Sequence, residues 1–271
     1  YQFINNDRIA LIAAETLKEY LYVFENNKIL KKKGELGKFP LIKEVFLKCY
    51  LGDKNTQVYF ENLINYSDNE RIQDDDYSRY VFFYINFLIE NNRHDEAKEI
   101  ADNLDYLNSS LLISRVKKWT LDQNTEKIKK IFSCKNSSDI VGELLFLVAN
   151  LYASQDDYEQ SNFYLNISNY LNPEFVFNLS LLTANHYLNK DYHQTLKTLE
   201  SFSEKDEFYY WFKLKKISQI MSKEKNNKKS LNFINSKFKK IKDPSVKIVF
   251  DIANINKNAK QYKLAIKYYD Q

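Results

Sequence analysis

Three histidines decide whether proton-transfer or metal chemistry can be expected from this chain of 271 residues. Imidazole titrates near neutral pH and is the commonest protein ligand for transition metals. His94 and His186 fall at positions that predict packing between two helices, whereas His193 falls in a predicted solvent-exposed turn. None of them has the spacing of a metal-binding or general-base motif. The histidines therefore predict no His-centred site.

The densest group of carboxylates is the run Asp74, Asp75 and Asp76. Adjacent carboxylates could coordinate a hard cation, but this run lacks the glycine and the terminal glutamate of a calcium-binding loop. We interpret residues 68–76 as a solvated acidic loop between helices. The motifs GxGxxG, GxxxxGK, HExxH and GxSxG, which mark nucleotide sites, zinc proteases and serine hydrolases, are absent. The sequence therefore predicts no enzyme activity, no cofactor and no metal.

The two cysteines, Cys49 and Cys134, are 85 positions apart and belong to no CxxC pair. This spacing suggests neither a zinc site nor a dense disulfide framework. The interpretation favoured by the sequence is two buried structural thiols.

Helical structure is favoured by the composition, because only 4 glycines and 3 prolines occur in the chain. So few turn-forming residues argue against a β architecture and against loops that cradle phosphate. The longest unbroken apolar run, Leu144 to Ala149, is far shorter than the roughly 20 residues of a membrane-spanning helix. The fold class expected is all-α.

The sequence leaves the compartment open between cytoplasm and periplasm. It begins at Tyr1 and shows no basic segment followed by an apolar one, so any targeting peptide has been removed or lies upstream. The oligomeric state is open as well.

A period of about 34 residues organises the chain, with repeats starting at Gly142, Val176, Trp211 and Val246. Position numbers below count from the first residue of each repeat. Small residues recur at positions 8 and 20, where two antiparallel helices can approach closely, and larger apolar residues recur at positions 4, 7, 11, 17 and 24. The small pairs are Ala149 and Ser161, Thr183 and Thr195, Ser218 and Ser230, and Ala253 and Ala265.

The N-terminal half carries the same pattern in a more degenerate form. Repeats start near Pro40, at Ser78 and at Ser109. The prolines, Pro40, Pro173 and Pro244, all fall at predicted repeat boundaries, where a missing N–H does least harm. We expect capping helices in residues 1–39, degenerate repeats in 40–141 and well-matched repeats in 142–271, the last of them truncated.

This pattern resembles the tetratricopeptide repeat family, most specifically over residues 142–271 and loosely from residue 40. The last four repeats also look like multi-repeat proteins of alphaproteobacteria. The resemblance implies an α-α superhelix, a solenoid of antiparallel helix pairs with about seven repeats and an N-terminal helical cap. It also implies protein binding and no chemistry.

In this family the first helices of successive repeats line a concave groove, which suggests where a partner would bind. The first hypothesis is that the groove holds a peptide or helical segment of another protein. Apolar residues at positions 2, 5 or 6 could anchor that segment, although packing between neighbouring helices is an equal alternative. Polar residues at position 9 could hydrogen-bond to the backbone of the bound segment, although they could also be ordinary polar residues of a solvent-exposed face. The candidates are Phe82, Phe146 and Phe177, and Asn86, Lys117, Asn150, Gln219 and Asn254.

The second hypothesis is an electrostatic adaptor for an anionic surface, which could be an acidic protein, a membrane or nucleic acid. Residues 205–271 hold 17 Lys and 6 acids, a net charge of +11, and since the whole chain carries +4, residues 1–204 carry −7. Lys213, Lys215 and Lys216 form the proposed basic patch, and further lysines surround the following inter-helix turn. A pI of 8.7 and scarce arginine argue against nucleic acid. No amphipathic helix with an exposed apolar face is expected beside the lysines, which argues against a membrane.

Overall fold

The computed structural model describes residues 39–69, 78–104, 107, 110–223 and 226–270, and these contain fourteen α-helices, one 3₁₀ turn and no strand. The predicted all-α class is confirmed there. The capping helices expected in residues 1–39 lie outside the described residues except for Phe39, and the Asp74–Asp76 run lies outside them entirely. The α-helices are α1 (Phe39–Tyr50), α2 (Thr56–Asn69), α3 (Ser78–Glu90), α4 (His94–Asp102), α5 (Leu111–Leu121), α6 (Thr125–Ile131), α7 (Ser137–Ser154), α8 (Tyr158–Leu171), α9 (Leu179–Leu188), α10 (Tyr192–Leu199), α11 (Glu207–Lys223), α12 (Asn227–Phe238), α13 (Val246–Asn258) and α14 (Tyr262–Tyr269).

The same backbone turn ends the first helix of the six repeats from Ser78 onward. The N–H at position 16 donates to the carbonyl at position 11, as in Arg93 to Leu88 and Asp191 to His186, both at 2.8 Å. In the repeat near Pro40, the equivalent bond joins the Asp53 N–H to the Lys48 carbonyl, two positions earlier. This six-to-one bond is the mark of a Schellman turn, which needs a residue in the left-handed region. The residue at position 15 has that conformation in Asn92, Gln123, Asp156, Lys190 and Lys260, with φ between 56° and 62°. The turns of these six repeats therefore keep the predicted phase, whereas the turn at Gly52 comes two positions early.

Polar caps start several of the second helices. Asp157, Asp191 and Asn226 stand immediately before α8, α10 and α12, and the side-chain oxygen of each accepts a hydrogen bond from the backbone N–H three residues later. Such caps satisfy donors that the first helical turn leaves unpaired. Chain reversal and helix initiation are thus encoded by neighbouring residues.

The small residues at positions 8 and 20 are buried where the two helices of a hairpin meet, as predicted. Ser218 Oγ lies 2.9 Å from Ser230 Oγ, and Ser230 also donates to the Ser218 carbonyl at 2.7 Å. In the hairpin of α7 and α8, near the end away from its turn, Ser168 Oγ donates to the carbonyl of Gly142 at 2.7 Å. A Cβ at residue 142 would lie 3.3 Å from the Ser168 carbonyl oxygen, so glycine permits this close antiparallel approach.

The first compact unit comprises the described residues up to Asp102 together with Trp119–Leu181. Its centre is a cluster of buried aromatic rings with centroids 4.6 to 6.4 Å apart. Helices of repeats that are not adjacent pack together here, as α1 does on α7. An open solenoid would have contacts between adjacent repeats only, so this unit departs from that expectation. The cluster contains Phe46, Phe82, Phe83, Phe132 and Phe175.

A disulfide bond joins Cys49 at the end of α1 to Cys134 before α7, with the two Cα atoms 5.8 Å apart. Both residues are buried, at 5% and 1% exposure. The prediction of two buried thiols is correct about burial and wrong about the free thiol state. Sequence spacing could not show the pairing, because it depends on the packing of α1 against α7.

The second compact unit comprises Asn103–Lys118 and Leu182–Gln271. Successive helices pack in order from α10 to α14. One hydrophobic cluster joins the last two hairpins, with Trp211 and Ile234 from the earlier one and Ile248 and Ile252 from the later one. In the described part of the chain, no helix combines the length and the apolarity that crossing a bilayer requires.

Candidate interaction surfaces

Three of the predicted groove residues are buried in the first compact unit. Phe82 and Phe177 are 0% and 2% exposed, and Asn86 is 1% exposed. Phe82 stacks on Phe175, and Asn86 Nδ2 donates to the carbonyls of Ile128 at 3.2 Å and Phe132 at 2.9 Å. The packing alternative is therefore correct for both phenylalanines. The assignment of Asn86 as a partner-binding residue is wrong, because its amide already joins α3 to α6.

Phe146 is covered by Arg79, which was not among the residues predicted from the sequence. The Arg79 guanidinium carbon lies 3.6 Å from the centroid of the Phe146 ring. Arg79 also donates to both oxygens of Glu143, at 2.7 and 2.5 Å, and to Asn178 Oδ1 at 2.6 Å. The Glu143 side chain is fully buried, and that burial raises its pKa while the Arg79 charge opposes the rise. This ion pair joins α3 to α7.

A sequence signal for the Arg79–Glu143 pair was present. Arg79 is the second residue of the repeat from Ser78, and Glu143 is the second residue of the repeat from Gly142. Because Arg79 and Glu143 occupy the same repeat position and carry opposite charges, the sequence is compatible with a contact between them. What the sequence lacks is any sign that these two repeats, which are not adjacent, meet.

The remaining polar candidates are divided between paired and exposed side chains. Lys117 Nζ donates to the Leu104 carbonyl at 2.8 Å, and Asn254 Oδ1 accepts from the Tyr269 hydroxyl at 2.7 Å. Asn150 and Gln219 are exposed. Of the five candidates at position 9, only these two have exposed side chains.

The predicted basic patch is largely neutralised within the second compact unit. Lys213 Nζ lies 2.6 Å from Glu204, and Lys215 Nζ lies 2.6 Å from Asp251. Lys216 is half-buried against the Tyr187 ring, and its pKa is lowered by burial and by Lys215. These three lysines therefore do not form a free positive surface.

A different group of lysines is exposed at the turns of the last two hairpins, and we call it the basic rim. None of its members forms an ion pair with a described carboxylate. The Ser245 N–H donates to Glu207 at 3.4 Å where α13 and α11 begin, and Lys215 contacts Asp251 further along both helices. The two helices therefore run in the same direction, and the turns that follow them lie at the same end. The basic rim consists of Lys223, Lys228, Lys229, Lys257, Lys260 and Lys263.

The histidines show no assembled site. His94 is exposed at the start of α4, so its predicted packing role is wrong, because the first residue of a second helix faces solvent there. His186 is half-buried, and burial lowers its pKa. His193 is exposed, as predicted. Among the described residues, no three His, Cys, Asp or Glu side chains are grouped so that they could hold a metal ion.

One buried carboxylate has a strongly shifted pKa. Burial raises the pKa of Asp139 to about 6, against the hydrogen bond from the Ser133 N–H. Glu90 adds a smaller rise through its like charge. Asp139 begins α7 beside the disulfide and holds the preceding loop, so we assign it a structural role.

Comparison with models of protein families gives no match for this chain, and comparison with curated proteins finds no detectable relative.

Proposed function

We propose that the chain is a non-enzymatic scaffold of tetratricopeptide-like hairpins that binds a segment of another protein. The observation that carries this proposal is the Schellman turn that recurs at positions 11 to 16, in phase with the small residues at positions 8 and 20. Arrays of identical hairpins present long continuous surfaces and are suited to holding extended partners.

The solenoid arrangement forms part of the proposal for the second compact unit. The helices from α10 to α14 pack in sequence order, which supports nearest-neighbour stacking there. In the first compact unit, the buried Phe82 and Phe177 and the covered Phe146 leave little of the predicted groove surface for a partner. We therefore place the binding surface in the second unit.

The basic rim is the surface that supports an acidic partner best. Six exposed lysines lie on two adjacent turns, and no described carboxylate pairs with them. Such clusters steer acidic partners at low ionic strength, with a screening length of about 8 Å at physiological salt. An acidic protein segment is the partner we propose.

A capture experiment from the native source tests this function. The bait is the full chain, compared with the variant Lys228→Glu, Lys229→Glu, Lys260→Glu, Lys263→Glu. A matched control reverses four exposed lysines away from the basic rim, Lys197, Lys205, Lys239 and Lys240. We expect proteins with acidic segments to bind the wild type and the control, to be lost from the rim variant, and to dissociate as salt increases. The same set of proteins on all three baits would contradict the proposal.

The same observation favours one second candidate, an adaptor for another anionic surface. Direct binding of the purified chain to RNA and to vesicles containing phosphatidylserine distinguishes it. The protein-scaffold assignment would be replaced if the purified chain bound RNA or these vesicles through the basic rim and if capture were also nuclease-sensitive or lipid-dependent.

A further inference from the structure

An apolar stripe lies on the side of α8 that faces away from α7. Ser161 and Ser168 are 0% exposed on the side that packs against α7. Phe163 and Tyr170 follow them by two positions, which on a helix is the opposite side, and are 57% and 71% exposed. Ile167 is half-buried between them. The residues Phe163, Ile167 and Tyr170 have the spacing i, i+4 and i+7, and we call them the α8 stripe.

Among the six repeats from Ser78 onward, α8 is alone in having an aromatic residue at position 22. The other five repeats have an exposed charged or amide side chain there, as a solvent-facing helix side normally does. Hairpins precede and follow α8 in the chain, so the stripe is not exposed by standing at an end of the array. An apolar stripe where equivalent helices are polar indicates a contact surface. The five polar residues are Glu99, Lys130, Lys197, Asn232 and Lys267.

The α8 stripe is carried by a closely packed hairpin. The Phe163 ring lies edge-on to Tyr164, with 5.3 Å between centroids, and Tyr164 stacks on Tyr152 of α7 at 5.6 Å. Gly142 lets α7 and α8 approach closely, and Asp157 caps the first turn of α8. A surface held in this way loses little conformational freedom on binding.

The charges around the α8 stripe favour a second copy of the chain as its partner. Glu159 is the only charged residue within α8, and the exposed residues Gln160 and Asn166 beside the stripe are neutral amides. A strongly charged partner would therefore find no complementary charge here. Two copies of this face meet with few like charges, and their amides can both donate and accept hydrogen bonds.

The order of the residues favours an antiparallel pair. The stripe reads aromatic, aliphatic, aromatic in either direction. A copy related by a twofold axis therefore places Phe163 of one chain against Tyr170 of the other, with Asn166 and Ile167 near the axis. A parallel pair would set the two Glu159 carboxylates side by side, whereas the antiparallel pair separates them by about 20 Å.

We propose that the chain forms a weak homodimer through the α8 stripe, with the two α8 helices packed antiparallel about a twofold axis. This inference goes beyond the proposed function, because α8 belongs to the first compact unit and the proposed partner-binding surface to the second. Stable interfaces begin at about 1,200 Å² of buried surface, and an aromatic side chain buries about 150–250 Å². Four rings and two isoleucines fall short of that area, so we expect a dissociation constant on the order of 100 µM.

Sedimentation velocity of the full chain at increasing concentration tests the dimer. We expect a reversible change from monomer to dimer, and Phe163→Asp should raise the dissociation constant at least about tenfold, because the contact would bury a carboxylate. Leu188→Asp is the matched control, since Leu188 is 56% exposed on α9, outside the stripe, and it should leave the constant unchanged. Circular dichroism shows whether each variant remains folded.

Cross-linking tests the antiparallel arrangement. Asn166→Cys places a thiol near the twofold axis, so mild oxidation should give a covalent dimer on a non-reducing gel, and adding Phe163→Asp should remove most of it. Asn232→Cys is the control, since Asn232 is an exposed asparagine on α12, and it should remain monomeric. The native cysteines do not compete, because they are joined in a buried disulfide.

Three outcomes would overturn the proposal. The first is a chain that stays monomeric at every concentration. The second is a dimer that Phe163→Asp does not weaken, or that Asn232→Cys cross-links as well as Asn166→Cys does, because its contact would then lie elsewhere. The third is binding to phosphatidylserine vesicles that Phe163→Asp abolishes, which would assign the stripe to a membrane. No substituted residue belongs to the basic rim, so these results and those of the capture experiment are independent of each other.

Discussion

At the scale of single residues, the first compact unit contains a buried ion pair that joins α3 to α7. Arg79 and Glu143 form a two-bond ion pair under the Phe146 ring, with Asn178 completing the contacts of the guanidinium. A buried ion pair of this kind stabilises the folded state no more than a well-packed apolar pair would. Loss of either partner, however, leaves the other charge buried and unpaired.

Removing one partner of this pair should therefore be costly. We expect Glu143→Ala to lower the free energy of unfolding by about 3–5 kcal/mol, because Arg79 would be left uncompensated. The double variant Arg79→Met, Glu143→Leu should recover most of that loss. Urea unfolding followed by circular dichroism measures both, with the exposed Glu159→Ala as control. A double variant no more stable than the single one would contradict this account.

Asp139 provides a pH-dependent contribution. Its pKa is about 6 in the folded protein and 3.8 in the reference state, so the folded chain binds the proton more tightly. Stability from this residue is complete below pH 4 and is lost as pH rises through 6, by about 2 kcal/mol once partial solvent screening is allowed for. Urea unfolding at pH 4 and pH 6.5 should show this loss in the wild type relative to Asp139→Asn. Parallel pH profiles for the two proteins would exclude the effect.

At the scale of helices and turns, the hairpin is the element that the sequence specifies best. Five reversals combine a Schellman bond with a left-handed residue at position 15, and a side-chain cap follows three of the reversals. All of these interactions are local, so they can be read from neighbouring residues.

The caps are open to a direct comparison between hairpins. Asp191 accepts a bond from the Gln194 N–H at 3.0 Å, whereas Gln261, at the same position of the last repeat, makes no side-chain cap. We expect Asp191→Ala to lower the free energy of unfolding by about 1 kcal/mol and Gln261→Ala to have a smaller effect. Chemical denaturation of the two variants measures the difference. Equal losses would mean that the cap bond contributes nothing.

The groove candidates could not be predicted to the same extent. Periodicity assigns Phe82 to one face of α3, but it does not show which distant element covers that face. The covering residue is Phe175, which the chain brings back 93 positions later. Tertiary packing of this kind leaves no local pattern. The Cys49–Cys134 disulfide could not be predicted for the same reason, because it joins α1 to the segment before α7, which is far away in sequence.

At the scale of the whole chain, the disulfide and the proposed binding surface belong to different compact units. The disulfide, the buried aromatic cluster and the Arg79–Glu143 pair all lie in the first unit. The basic rim lies in the second. This division suggests that the two kinds of feature can be changed independently.

Loss of the disulfide tests that independence. Closing a loop of 85 residues should stabilise the folded state by about 4–5 kcal/mol, so the variant Cys49→Ser, Cys134→Ser should unfold at correspondingly lower urea concentration. In the absence of urea, capture of acidic partners by the basic rim should be unchanged. Thiol titration of the denatured wild type, with and without reductant, establishes the bond. Two free thiols without reductant would contradict it.

The disulfide also limits how far the chain can be stretched. If the folded protein is pulled from both ends in a single-molecule experiment, the 85-residue segment between the cysteines cannot extend until the covalent bond is cut. At about 3.4 Å per residue, the oxidised chain should be shorter by about 290 Å of contour length than the reduced one. Force applied along the backbone would pass through the disulfide bond instead of through helices α2 to α6. This section of the chain would therefore keep a fixed length, whereas the repeats outside it could extend.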